Sequence, residues 1–246
     1  MNEDLLEILT LGAGSGTTAI LSGEPSTAFA VMMNNECALL IDLGFGITRS
    51  ILTYLKEIPE CIYITHNHLD HAGELPVVSQ LVYKSGRKLT IWSAAEVTHR
   101  LKSFRMAEIN TSRLDIEQII EWKTLNDTIY NDITPDIRIK IEKSQHSEPC
   151  YGLILEYKHQ VVFAYSADSG YNEAYYQWLS EAPVIILDGR LAASSDHAGF
   201  DQIEDFMRKH PEKQIFVVHY GQLKDKPNHL NALKTGDRIK LSCSTI

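Results

Sequence analysis

The sequence predicts an α/β fold, with two sheets packed as a sandwich and helices outside them. Three observations predict it. Short apolar runs recur through the 246 residues and alternate with segments of helical period. Strands and helices follow a similar order in the two halves. Hydrophobic residues make up 44% of the chain, enough for one sizeable core, so residues 1–246 read as a single domain.

The elements follow in order. Leu5 to Leu11 alternates towards Gly12-Ala13-Gly14-Ser15-Gly16, a strand ending in a tight glycine turn. The glycine spacing does not match a dinucleotide fingerprint, and no acidic residue closes a βαβ unit after it. Thr27–Met33 and Ala38–Asp42 read as strands joined by the turn Asn34-Asn35-Glu36. A helical pattern covers Ile47–Lys56, a buried strand Ile62–Ile64, and a helix Glu74–Lys84. Lys88–Ser93 is a strand and Ala94–Phe104 is helical. Residues 105–135 are less periodic and could cover a site. Strands return at Ile137–Ile141, Gly152–Tyr157 and Gln160–Tyr165, the last two forming a hairpin around Lys158-His159. Glu173–Leu179 is helical, Pro183–Asp188 a strand, Phe200–Arg208 helical and Gln214–Val218 a last buried strand. Leu230–Leu233 and Ile239–Leu241 close the chain.

Composition excludes several classes. No apolar run reaches the ~20 residues that a membrane-spanning helix needs. Met1-Asn2-Glu3-Asp4 is acidic and unlike a secretory signal, so the expected location is the cytoplasm. The net charge of −9 argues against a large nucleic-acid partner and permits a small anionic substrate. The basic groups Lys84, Arg87, Lys88 and Arg100, Lys102, Arg105 read as solvated faces. The four cysteines form no Cys-x-x-Cys pair. Cys37 and Cys61 sit in apolar runs and read as core. Cys150 is close in sequence to a candidate ligand, and packing is the favoured reading there too.

Chemistry concentrates in Thr65-His66-Asn67-His68-Leu69-Asp70-His71, where three histidines and one aspartate fall within six positions. Neutral imidazole and ionised carboxylate bind borderline divalent metals such as zinc, manganese and iron. In an extended segment, residues two apart point the same way, so His66 and His68 can reach one metal together. Asp70 and His71 follow as the chain turns and can face a second. Three more apolar strands lead to candidate ligands, His146, Asp168 and His219. Strand ends gathered at one sheet edge are where rigid sites are built. Asp42 ends an apolar strand before two glycines. It either supports a histidine ligand from behind or caps the helix that follows.

These residues, in this order and spacing, resemble the metallo-β-lactamase fold superfamily over nearly the whole chain. The resemblance implies a four-layer αββα sandwich with a dinuclear metal site. It implies His66, His68 and His146 on one metal, Asp70, His71 and His219 on the other, and Asp168 bridging both. Two divalent ions are implied, zinc first, with manganese or iron as alternatives. A carboxylate bridge holds two cations ~3.5–4 Å apart, which suits a phosphodiester and also a lactone or thioester.

His197 lies between the Asp168 and His219 stations. The stretch from Leu187-Asp188-Gly189-Arg190 to Val218-His219-Tyr220 is similar to the tRNA 3′-processing endonuclease (ribonuclease Z-like) and small phosphodiesterase branch. There an extra histidine lies near the scissile phosphate and can donate a proton to the leaving oxygen. Asp188 or Asp196 would orient His197. Arg190 pairs either with the phosphate or with an acidic neighbour, and Tyr171, Tyr175 and Tyr176 stack on a base or belong to the core. The branch's long glycine- and proline-rich arm is missing, and Asp188-Gly189-Arg190 stands where a glutamate partner is expected. These departures favour a small, cyclic or nucleotide phosphodiester cleaved by a hydroxide shared between the metals, with Asp70 orienting it and His197 as the acid. A lactone or thioester hydrolase, or a low-turnover ligand-binding member, are the rivals. A homodimer is left open.

Overall fold

The computed structural model describes residues 5–110, 115–221 and 229–242. Met1–Asp4, residues 111–114 and Cys243 lie outside the described residues. The chain forms two compact units, one of residues 1–125 with 235–240, the other of residues 126–234 with 241–246.

The first unit is built on a seven-stranded sheet. Its strands are β1 (Leu6–Gly12), β2 (Ala28–Met33), β3 (Glu36–Ile41), β4 (Cys61–Tyr63), β5 (Leu89–Ala94), β6 (Ile120–Leu125) and the late strand β13 (Arg238–Lys240). Their order is β13-β1-β2-β3-β4-β5-β6. β1, β2 and β3 pair antiparallel. Asn34 and Asn35 both take positive φ, 53° and 70°, as a two-residue hairpin turn requires. From β3 to β6 the pairing is parallel, so each link must cross over. α2 (Ile47–Tyr54) crosses from β3 to β4, and α3 (Leu69–Ala72) with α4 (Leu75–Lys84) from β4 to β5. β1 is buried at every position, as a near-continuous apolar strand should be.

Three features differ from the sequence reading. The glycine turn leads into a helix, α1 (Gly16–Ser22), closed by Gly23 at φ 73°. The expected helix after β5 divides into α5 (Ala95–Arg100) and a π-helical turn, Leu101–Arg105. The weakly periodic stretch holds α6 (Ala107–Asn110), α7 (Ile116–Ile119) and β6, whose alternation is broken by half-buried Trp122 and Lys123.

The second unit has a six-stranded sheet. Its strands are β7 (Asn131–Asp132), β8 (Ile137–Lys143), β9 (Tyr151–Tyr157), β10 (Gln160–Tyr165), β11 (Val184–Asp188) and β12 (Gln214–Val218). The order is β12-β11-β10-β9-β8-β7. β7 to β10 run antiparallel; β10, β11 and β12 run parallel, linked by α8 (Glu173–Leu179) and α9 (Phe200–Lys209). Asn172 caps α8 by accepting from the Tyr175 N–H at 3.1 Å. Tyr175, Tyr176, Leu179, Ile203 and Phe206 from the two helices close over Ile154, Ala164 and Ile185 of the sheet. Each such side chain contributes about 1.5–3 kcal/mol on burial. Tyr175 and Tyr176 are therefore core residues, not a base-stacking surface. Leu230–Leu233 forms no strand beyond a single bridge from Ala232 to Val217.

Among the described residues, no helix is long and apolar enough to cross a membrane.

Candidate metal centre

In both units the chemistry sits just past the carboxyl ends of parallel strands, where open α/β sheets place their ligands. The strand that ends there turns sharply. Asp42, Ala167 and His219 all have positive φ, 65°, 51° and 60°, although none is glycine. Such strain persists only where the surroundings enforce it, and it clusters at functional sites.

In the first unit β4 runs into Thr65-His66-Asn67-His68, and α3 then carries Asp70 and His71. The His66 ring lies 4.7 Å from the His68 ring and 4.2 Å from the His71 ring, centroid to centroid. His66, His71 and Asp42 are fully buried. Asp42 Oδ1 accepts from the Thr65 N–H at 2.8 Å and Asp42 Oδ2 from His71 Nδ1 at 2.8 Å. The Thr65 hydroxyl is 2.9 Å from the Asp42 carboxylate and 2.9 Å from His66 Nδ1. A hydroxyl has one proton and the carboxylate can only accept, so Thr65 donates to Asp42 and accepts from His66 Nδ1–H. Both rings thus hold their proton on Nδ1, and Nε2 is the nitrogen each would offer a cation. Burial raises the Asp42 pKa, opposed by His71 and the Thr65 donors.

Asp42 thus holds Thr65 and His71, and among the described residues it caps no helix. The N-terminus of α2 is capped from a distance by Glu74, which accepts from the Gly46 and Thr48 N–H groups, each at 2.6 Å.

Asp70 has a seat that sequence reasoning missed. Its Oδ2 accepts from the Gly16 N–H at 2.9 Å and lies 3.8 Å from His71 Nε2. A Cβ at Gly16 would lie 3.1 Å from that carboxylate, and one at Gly44 would lie 1.7 Å from the Asp70 carbonyl oxygen. The glycines flanking the first strands were the available signal.

In the second unit Asp188, at the end of β11, plays the organising part. Its Oδ2 accepts from His197 Nδ1 at 2.7 Å and from the Ser169 N–H at 3.1 Å, while Oδ1 is 3.1 Å from His219 Nδ1. His219 Nδ1 is also 3.3 Å from Asp168 Oδ1. Two carboxylate oxygens therefore face this Nδ1. Burial and the Asp168 charge push Asp188 up, but His197 and His219 hold it below the ordinary carboxylate range. One ligand atom from each of Asp168, Asp188, His197 and His219 can be chosen so that all lie within 4.8 Å of one another. The His146 ring is 5.6 Å from that of His197, and its Nδ1 is 3.3 Å from the Asp196 carbonyl.

Asp196 does not orient His197; Asp188 does. Among the described residues Arg190 meets no carboxylate either. Its Nη1 donates to the His219 carbonyl at 2.5 Å and its Nη2 stands 3.0 Å from His219 Nδ1. It braces the strained His219 backbone.

The donor chemistry fits divalent metals. Among the described residues it consists of imidazoles and carboxylates, without a thiolate. Two sheets ending in such donors define a protein of the metallo-hydrolase class. Solved structures agree: the metallo-beta-lactamase fold protein YhfI from Bacillus subtilis matches with a TM-score of 0.78, covering 97% of this chain and 100% of that one at 13% identity. The fold is therefore the expected αββα class. More narrowly, the chain belongs to the family described as Anti-Pycsar protein Apyc1, whose model matches residues 6–237. The Anti-Pycsar protein Apyc1 of Bacillus phage vB_BveM-Goe7 is 25% identical over 238 residues, covering 89% of this chain and 90% of that protein. A Ribonuclease Z of Clostridium beijerinckii is 28% identical over 166 residues, 65% of this chain and 52% of that one.

Proposed function

We propose that this chain is a metal-dependent phosphodiesterase acting on a small, cyclic or nucleotide phosphodiester. His66, His68 and His146 would hold one divalent cation, Asp70, His71 and His219 a second, and Asp168 both. Zinc is the first choice for this donor set, with manganese or iron as alternatives. When bound, such cations supply Lewis acidity and an activated water.

The observation that carries the reading is the Asp188–His197 pair at 2.7 Å. A buried carboxylate on Nδ1 holds the ring in one orientation and leaves Nε2 for the substrate. The Nε2 proton of His197 then passes to the leaving oxygen as the phosphorus–oxygen bond breaks. Asp70, seated on the Gly16 N–H, orients the attacking water. The acidic net charge and the absence of a long arm favour a small anionic substrate over a large nucleic acid.

The test is His197→Ala assayed beside wild type on a cyclic nucleotide, a bis-aryl phosphodiester, a lactone and a thioester, with and without chelator. Wild type should cleave the phosphodiesters, and chelator should abolish this. The variant should lose about 10²–10⁴-fold in kcat while keeping two metals per chain. Metal loss in the variant would make His197 structural. Turnover of lactone or thioester alone would move the protein to carbon–oxygen or carbon–sulfur chemistry.

A further inference from the structure

Arg105 is the last residue of the π-helical turn that follows α5. Such turns are rare and recur at functional sites. Its guanidinium reaches the histidine motif, with Nη2 donating to the Asn67 carbonyl at 2.7 Å and Nε to Asn67 Oδ1 at 3.3 Å. Asn67 stands between His66 and His68. Both acceptors are neutral, and they use two of the five guanidinium N–H groups.

The surrounding charges sharpen the point. Lys102, on the same turn, pairs with Glu117 at 2.8 Å and covers the Trp122 ring. Arg100 lies over Phe104. Arg105 is half-buried, and among the described residues no carboxylate lies in ion-pair range of it. Burial alone depresses its pKa. A cation taken partly out of water with only neutral partners is costly unless an anion completes it. An arginine fork braced along one edge keeps its other edge for the oxygens of a phosphate.

We infer that Arg105 is a substrate-binding residue, braced on Asn67 of the histidine motif and offering a fixed positive charge to a phosphoryl oxygen of a small phosphodiester. The inference rests on the phosphodiester reading above. It replaces the solvated face that the spacing of Arg100, Lys102 and Arg105 suggests.

The experiment compares wild type, Arg105→Met and Arg105→Lys. KM and kcat are measured on bis(4-nitrophenyl) phosphate, and inorganic phosphate binding to the metal-loaded protein by calorimetry. Metal content and Tm are recorded for each. R105M should raise KM and weaken phosphate binding about tenfold or more, with metal content and Tm unchanged. R105K, which keeps the charge but not the fork, should fall between wild type and R105M. Unchanged KM and phosphate affinity in R105M would overturn the inference. So would R105K failing as badly as R105M with metal lost from both, because a brace on the histidine loop would then account for everything. Should R105M be recovered unfolded, Arg105→Gln, which keeps a donor for Asn67 without the charge, is read by the same criteria. A wild-type protein that turns over no phosphodiester overturns the proposed function instead, and the calorimetric comparison then decides the role of Arg105 without turnover.

Discussion

Asp42 and Asp188 hold matching stations in the two units and reach them by different routes. Each ends a parallel strand, is buried, and fixes two imidazoles by their Nδ1 atoms. Asp42 works through one short stretch: Thr65, His66 and His71 follow one another along the chain, and the Thr65 hydroxyl relays the carboxylate to His66. Asp188 gathers groups far apart in sequence, the Ser169 N–H, His197 and His219. The partners of Asp42 share one segment that the β3–β4 pairing brings to it, whereas those of Asp188 lie on three segments held by packing of the unit around it. Their electrostatics differ as well. Burial leaves the Asp42 pKa raised, whereas His197 and His219 outweigh burial and hold Asp188 low.

The largest effect should come from Asp42→Ala. It strips the Thr65 N–H, the Thr65 hydroxyl and the His71 ring of their common partner in a fully buried place. Leaving buried polar partners unpaired costs about 3–5 kcal/mol. Denaturant unfolding and metal analysis should show a loss of that order, with metal occupancy reduced. Asp188→Asn should be milder in stability and severe in turnover. An amide oxygen can accept from one of the two rings but carries no charge, so kcat should fall about 10²-fold in a folded protein. Equal stability losses in the two variants would erase the contrast between local and gathered sites.

Acid titration sharpens the same contrast by sign. A carboxyl held low in the folded state contributes stability above its unfolded pKa of about 3.9, lost as pH falls through the folded value. A carboxyl held high does the reverse, contributing most below the unfolded pKa and losing that as pH rises through the folded value. In metal-free protein, D188N should therefore flatten the acid limb of the stability curve, and Asp42→Asn should not. The two variants giving the same limb would show that their environments are electrostatically alike.

Much of this was legible in the sequence, for a physical reason. β3, β4, β10, β11 and β12 are short apolar runs that end abruptly in a polar residue, and a buried strand can end in Asp or His only where that group is held. Hence Asp42, His66, Asp168 and His219 could be read directly. The seats of these side chains could not. Gly16 and Gly44 matter through the Asp70 atoms they let approach, and Thr65 through a proton it must give to Asp42, contacts that a linear pattern does not encode. α1 was hidden because Gly-Thr-Thr is a poor helix start and Ile20 and Leu21 lie exposed. Arg105 looked like one more surface cation until the π turn and Asn67 gave it a place.

The smallest expected effect uses cysteines as reporters of each unit. Cys37 on β3 and Cys61 on β4 are half-buried in the strands that lead to Asp42 and to the histidine motif, while Cys150 is fully buried in the second unit. Burial raises the Cys37 thiol to about 12 and Cys61 to about 11. At pH 8 their thiolate fractions are then about 10⁻⁴ and 10⁻³, against roughly a quarter for an ordinary thiol. Native Cys37 and Cys61 should label slowly with a disulfide reagent and speed up about tenfold per pH unit, because the thiolate, not access, limits them. Cys150 should label only as its unit opens. Stripping the metals should accelerate Cys150 more than the other two if the gathered site relies on packing. Peptide mapping of the labelled protein reads each rate, and equal acceleration at all three positions would mean that the two units loosen together.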